Sequence, residues 1–489
     1  MASGLPRLGG ATLDRLPAGV RRPDWMRGAT RIRTVHIGAG AFHRGHQADY
    51  AEDLLQGGWD AALVGINLKP PALRDLLGPQ DGFYTRTLRE GDGAETRLMG
   101  AIRGVVDAEA NPGGALDWLS TPEVTTVTIT VTEKGYCHVP ATGALDMGHP
   151  DIQADLRGDL DRPRSLPGFL VAALRARRDE GGGPINLVSC DNLPGNGRIL
   201  AGVVREMADA TAPDLLPWIE DNLACPSTVV DRIVPALTPE DRDWLDRRLG
   251  LRDEAAVLAE PFRQWVIEDS FRAERPQWEA VGAQIVSDLS PQEALKMRVL
   301  NAAQTLLSLL GALAGHDFSH QAVRNPVLLG YVHGTILREV LPHLPDAVGG
   351  SSKDYLDQSL RRIGNTAIRH RCHQIATDTS RKIRQRLLDP LRARRAGGQP
   401  GPGLEAGVAA WVAYLAAGLP AHRDRWEPDD PVWARLAGSR NVDDLAQALL
   451  SSEDIFGSDL SRDEALRGRI TARARGLLDG EFARVLGGG

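Results

Sequence analysis

The sequence predicts two domains of different class: an α/β domain over residues 1–285 and an all-helical domain over residues 286–489. Three observations carry this expectation. A short β-type run, TVHI at 34–37, passes through a glycine-rich turn into a helical segment that reaches Leu55. Further β-type runs follow at 61–66, 124–131 and 185–189, each succeeded by other patterns, as in an open sheet covered by helices. Near Gln292 the texture changes, and long helical periodicities continue to Leu486. At 489 residues the chain is too long for one ordinary core.

Residues 1–30 are rich in Gly, Pro and Arg and read as an arm over the first domain. The run at 34–37 leads straight into Gly38, Ala39, Gly40, Ala41, Phe42, His43, Arg44 and Gly45. Strand, glycine turn and helix together open a Rossmann-like dinucleotide-binding unit. Gly38 permits the tight turn, and Gly40 lets the backbone approach a pyrophosphate. His43 stands where a third glycine would complete the fingerprint, so the motif is partial. The strand at 61–66 ends in Asn67, Leu68 and Lys69, with no acid to hold the ribose 2′-hydroxyl of NAD. Asn67 can still hydrogen-bond a ribose and Lys69 can tolerate a 2′-phosphate; equally, both can be plain loop residues. The choice between NAD and NADP stays open on these residues.

The run VTTVTITV at 124–131 is a buried-strand pattern that ends in Thr132, Glu133, Lys134, Gly135 and Tyr136. Strand carboxyl ends border the ligand crevice of such sheets, so these polar residues are either site residues or a charged turn. The strand at 185–189 ends in CDNLPGNG, where Asp191 and Asn192 either cap the next helix or face the site. Asp231 and Arg232 lie in a proline-bounded extended stretch, 225–239, and on their own read as a surface or structural ion pair.

In the helical part, residues 296–316 read KMRVLNAAQTLLSLLGALAGH, an apolar and proline-free helix. At about 100° per residue, Asn301 and Gln304 fall roughly 140° and 80° from Lys296, so all three can border one cavity. Desolvation would lower the lysine pKa toward a proton-shuttling range. The alternative is a lysine snorkelling from a core helix. GGQPGPG at 397–403 is a loop between helices.

Composition bounds the function. Hydrophobic content of 42%, charged content of 25% and a net charge of −7 describe a globular protein with no basic field for nucleic acid or an anionic membrane. The four cysteines lack CxxC spacing, which argues against a disulfide framework or a zinc site. No leader-type apolar segment and no run of about 18 apolar residues is present. A cytoplasmic protein with no nucleic-acid or membrane partner is expected.

Six ordered motifs carry a family resemblance: GAGAFHRGHQADY, TVTEKGY with PATGALD after it, CDNLPGNG, VDRIVP, EPFRQWVIEDSF and KMRVLN. Together they resemble the polyol-specific long-chain dehydrogenases, the mannitol dehydrogenase family, over roughly residues 34–392. This family includes mannitol 2-dehydrogenase, fructuronate reductase (D-mannonate oxidoreductase), tagaturonate reductase and arabinitol dehydrogenase. IGNTAIRHRCHQIATDTSRKIRQRLLDPLR, from Ile363, and the strand end VGINL are most similar to the fructuronate reductase branch. The resemblance implies a metal-free, NAD(P)-dependent interconversion of a secondary alcohol and a ketone on an open-chain sugar acid or polyol, with NAD the expected cofactor and a monomer the expected state.

It also implies residue roles. Lys296 matches the general acid/base, and Asn192 and Asn301 match the amide donors to the reacting oxygen. Asp231, Gln304, His373 and Lys382 fall on the substrate side; Lys382 would suit a carboxylate, or else is a solvated helix lysine. Gly38, Gly40, Phe42, His43, Arg44, Asn67, Glu133 and Lys134 fall on the cofactor side. The family usually has histidine where this chain has Gln304, and glutamine does not titrate near neutrality. That departure motivates a second expectation, a catalytically weak nucleotide-binding homologue. A metal enzyme using His36, His43 and His46 is a third and lacks further ligands nearby.

Overall fold

The computed structural model describes residues 4–25, 31–69, 73–140, 142–158, 160, 162–344, 351–420 and 425–487. The chain divides into two compact units, Met1–Leu289 and Ser290–Gly489. The first runs past residue 285 because Gln284–Val286 is still a strand within it, and Leu289 packs on Val229 and Val266. Parts of the expected arm (1–3 and 26–30), and Ala141 of the PATGALD motif, lie outside the described residues.

The first unit is built on six parallel strands: β1 (Ile32–Ile37), β2 (Ala62–Asn67), β3 (Ile102–Asp107), β4 (Thr126–Ile129), β5 (Ile185–Ser189) and β6 (Leu223–Ala224). Their spatial order is β3-β2-β1-β4-β5-β6, every neighbouring pair parallel. This is the doubly wound order of dinucleotide-binding domains. Val35, Ile37, Ile129 and Val188 are fully enclosed, as expected of strands covered on both faces. β3, which Gly104 interrupts, and β6, which is only two residues long, carry no clear strand pattern in the sequence.

Two smaller sheets complete the unit. Tyr84–Glu90 and Gly93–Met99 form an antiparallel hairpin, flanked by Val257–Ala259 and by Val20–Arg21 of the arm. Thr228–Asp231 pairs antiparallel with Gln264–Glu268, which pairs parallel with Gln284–Val286. Asp49 ties these layers together: its buried carboxylate accepts from Arg86 at 2.8 Å and Arg232 at 2.7 Å and forms an ion pair with Arg263 at 3.1 Å. Arg232 is therefore a structural ion-pair residue, but its partner is Asp49 rather than the adjacent Asp231. No local pattern announces that pairing.

Among the described residues of the second unit the regular elements are all helices, apart from an isolated bridge between Phe318 and Arg371. Its centre is the Ala302–Leu313 helix packed on the Pro402–Ala416 helix, both buried along most of their length. Gly407 allows the close approach: a Cβ there would lie 2.6 Å from Leu306 Cδ2. Glu405 is buried in the second of these helices and is neutralised by Arg469 and Arg473. No helix among the described residues is long and apolar enough to cross a membrane.

Candidate active site

In the first unit, the carboxyl ends of β1, β2 and β4 open onto a cavity of about 600 Å³ whose lining includes Gly38, Gly40, Asn67, Thr130, Thr132 and Lys134. This is where strand order reverses between β1 and β4, the position at which doubly wound sheets bind ligands. Gly38 adopts φ 87°, and a Cβ there would sit 2.0 Å from the Thr130 carbonyl oxygen, so only glycine fits. Arg44 also lines the cavity and braces the turn, donating to Ala39 O and Ala255 O at 3.1 Å each.

Three expected cofactor residues have other surroundings. His43 is enclosed behind the turn, its ring stacked 3.4 Å from that of His36. Its place in the motif is a packing one, and burial holds its imidazole well below the ordinary range. Phe42 stacks on His46 at 5.1 Å. Glu133 lies on the Glu133–Tyr136 turn and does not line the cavity. Burial likewise pushes the His36 and His46 imidazoles down to about 3; His36 bonds Thr128 and Thr130, and His46 bonds Gln264 O. Lys69 lines the cavity beside Asp151, with which it forms an ion pair.

Asp191, left open between cap and site, organises the neighbouring loop. Its carboxylate accepts from Val131 N at 3.0 Å, Thr132 N at 2.9 Å and Tyr136 Oη at 2.8 Å. These bonds hold Thr132 at φ 65°, a strained conformation for threonine. Burial pushes the Asp191 carboxyl up to about 6 against those bonds. The Asn196 side chain donates to Asp191 O at 2.9 Å and Thr228 O at 3.0 Å. Asn196 thus ties the loop that bears Asn192 to the start of the Thr228–Asp231 strand. Asn192 is exposed and Asp231 is buried.

In the second unit, residues Lys296–Asn301 form a π-helical turn rather than a continuation of the α-helix. Both Lys296 and Asn301 are buried, at 4% and 5% exposure. Hydrogen bonding from i to i+5 stacks residues five apart, so the turn brings Asn301 over Lys296 more closely than α-helical spacing would. Asn301 Nδ2 donates to Met297 Sδ at 3.0 Å, a weak acceptor readily exchanged for a better one. Gln304, half-buried, follows at the start of the Ala302–Leu313 helix.

A second π-turn, Arg384–Leu388, packs against the first. From it Arg386 Nη1 donates to Thr305 Oγ1 at 2.6 Å and Asn301 O at 3.4 Å. In the sequence the Arg-rich stretch 361–395 alternates with apolar residues and reads as charged helix faces able to contact anions, but no local signal distinguishes Arg386 within it. Lys382, on the Thr379–Ile383 helix before it, donates to Thr377 O. His373 bonds the Tyr414 hydroxyl at 2.9 Å and packs against Trp426, and burial lowers its pKa. Lys296, Asn301 and Arg386 thus lie on two π-turns that pack together, Gln304 and Lys382 sit on the helices that adjoin those turns in the chain, and His373 anchors to an aromatic cluster.

Known proteins match along the same lines. Residues 32–280 match the mannitol dehydrogenase Rossmann domain, and residues 288–478 match the mannitol dehydrogenase C-terminal domain. D-mannonate oxidoreductase of Escherichia coli (strain K12) is 37% identical over 468 residues, 94% of this chain and 96% of that protein. Mannitol 2-dehydrogenase of Cereibacter sphaeroides is 36% identical over 458 residues, 93% of this chain and 95% of that protein. Among solved structures, Pseudomonas fluorescens mannitol 2-dehydrogenase, in ternary complex with NAD and D-mannitol, superposes with a TM-score of 0.91 at 31% identity, over 98% of this chain and 99% of that one. With both domains matched in order and relatives aligned nearly end to end, the chain belongs to the mannitol dehydrogenase family of oxidoreductases.

Proposed function

We propose that the protein is an NAD(P)-dependent oxidoreductase interconverting a secondary alcohol and a ketone on an open-chain sugar acid or polyol. D-mannonate and D-fructuronate are the favoured pair, and D-mannitol and D-fructose the alternative. The observation that carries this reading is Lys296 beside Asn301, both buried on one π-turn of an otherwise apolar helix. Burying an amine and an amide in such a setting is costly and is repaid by chemistry that needs them.

The first-unit cavity fits a dinucleotide: it lies at the switch point, and Gly38 leaves no side chain at the turn. Gly38 and Gly40 would present backbone to the pyrophosphate, with Asn67 and Lys69 at the ribose. No acid follows Asn67 at the strand end, although Asp151 lines the same cavity and pairs with Lys69; NAD, as in the Pseudomonas relative, is taken as the cofactor and NADP stays open. When bound, the nicotinamide supplies the hydride exchange. The chain's own residues do the rest. Lys296 takes the hydroxyl proton in oxidation and returns it in reduction. Asn192 and Asn301 donate to the oxygen as it gains negative charge. Asp231, Gln304 and Lys382 bind the substrate's remaining groups. Four unpaired cysteines support a reducing cytoplasm as its setting.

The test is loss of reduced-cofactor absorbance with D-fructuronate, D-tagaturonate and D-fructose, each with NADH and NADPH. Turnover with D-fructuronate is expected. Turnover with D-fructose alone moves the assignment to the mannitol pair. Silence with all three while NADH still binds overturns the reading in favour of a nucleotide-binding homologue, for which Gln304 would be the first residue to examine.

A further inference from the structure

We propose that Arg386 is the anchor for the carboxylate of a sugar-acid substrate, an inference that rests on the oxidoreductase reading above. The two bonds of Nη1, to Thr305 Oγ1 and Asn301 O, fix the guanidinium against the Lys296–Asn301 turn. The Nε and Nη2 donors have no partner among the described residues and are not enclosed by protein. Those two groups form the edge of a guanidinium that grips a carboxylate with two parallel hydrogen bonds.

Charge points the same way. Arg86 and Arg232, more deeply enclosed than the half-buried Arg386, are neutralised by Asp49. Arg97, also enclosed, pairs with Asp53, and Arg177 donates to five backbone carbonyls. Arg386 has neither arrangement: no carboxylate among the described residues pairs with it, and half of its fork is unspent. Desolvation, with no acid opposing it, draws its pKa down to about 10, so it still carries its charge at neutral pH. A desolvated cation without a counter-ion favours an anionic ligand. Lys382, four residues earlier, adds positive charge to the same stretch. Because Arg386 holds the carbonyl of Asn301, anion capture at its free edge would also steady the turn bearing the proposed acid/base.

The test compares an acid and its neutral analogue in the same enzyme. In Arg386→Leu, the ratio of kcat/KM for D-fructuronate to that for D-fructose is expected to fall about 10²-fold, mostly through KM for the acid, the effect of losing charge-assisted bonds. Arg386→Lys, which keeps the charge and loses the fork, is expected to recover part of that ratio. If both substrates decline together and the ratio holds, Arg386 is only a brace for the turn and the proposal fails. A binding measurement stands apart from turnover and from the leucine variant's folding. Titration of NAD-loaded wild-type enzyme with D-gluconate and D-glucitol is expected to favour gluconate, and Arg386→Lys to narrow the difference. Equal or weaker binding of gluconate overturns the proposal. Selective gluconate binding without turnover of either sugar would keep it while overturning the functional reading.

Discussion

Lys296 and Asn301 are the enclosed polar groups on which the proposed chemistry depends. Each is about as buried as the leucines around it, although amines and amides prefer water. Lys296→Ala is expected to cut turnover about 10²–10⁴-fold, the range for a lost general acid/base, while NADH affinity measured by fluorescence titration stays unchanged. Asn192→Ala and Asn301→Ala are each expected to cost about 10²-fold in kcat as lost oxyanion donors. Near-normal turnover in Lys296→Ala, or a loss confined to NADH affinity, would contradict these roles. Gln304 and Asp231 were legible as polar positions in the sequence. Arg386 was not, because its distinction lies in what it fails to pair with.

At the scale of elements, two local structures set the site. The turn after β1 requires Gly38, where φ is 87° and the Thr130 carbonyl fills the space a Cβ would need. Gly38→Ala is expected to cost on the order of 1–3 kcal/mol in stability from backbone strain alone, and more from the displaced β4 end. NADH affinity should fall with it, read by thermal melting and fluorescence titration; a variant that melts and binds normally would remove this turn from the cofactor cradle. The other structure is the π-turn at Lys296–Asn301. Regular α-helical spacing spreads Lys296 and Asn301 apart around the helix, and the wider turn draws them together. The facing turn at Arg384–Leu388 supports it through the bonds of Arg386 to Thr305 and Asn301.

For the whole molecule, the buried titratable groups predict an acid-sensitive fold. Burial holds His36 and His46 down to about 3, so the unfolded chain binds protons that the folded chain refuses between about pH 6.5 and 3. Stability is therefore full above that window and falls as pH drops through it. From pH 6.5 to 5 each histidine is expected to cost about 2 kcal/mol. Asp191, raised to about 6, works in the opposite sense and returns about 1 kcal/mol over the same interval. Asp49, held low by three arginines, adds a further loss at still lower pH. Urea denaturation at pH 7 and pH 5 checks this: the midpoint is expected to fall at pH 5, and His46→Asn to flatten the dependence. Equal or greater stability at pH 5 would mean that these imidazoles are charged in the folded state.

The sequence alone determined the two-domain architecture, four of the six parallel strands, the glycine turn and the identity of Lys296, Asn192 and Asn301 as the residues to watch. The architecture, strands and turn rest on local rules, namely hydrophobic period, β-branching and glycine stereochemistry, whereas the three residues stand out through the resemblance of their motifs to the mannitol dehydrogenase family. Tertiary structure alone decided the rest. It converted the Lys296 segment to a π-turn, joined Arg386 to Asn301 across 85 residues, and sent Arg232 to Asp49 across 183. It also buried His43 behind the turn that its motif suggested it would line. Such outcomes follow from packing and desolvation between distant segments, whose energies leave no periodic mark on either segment by itself.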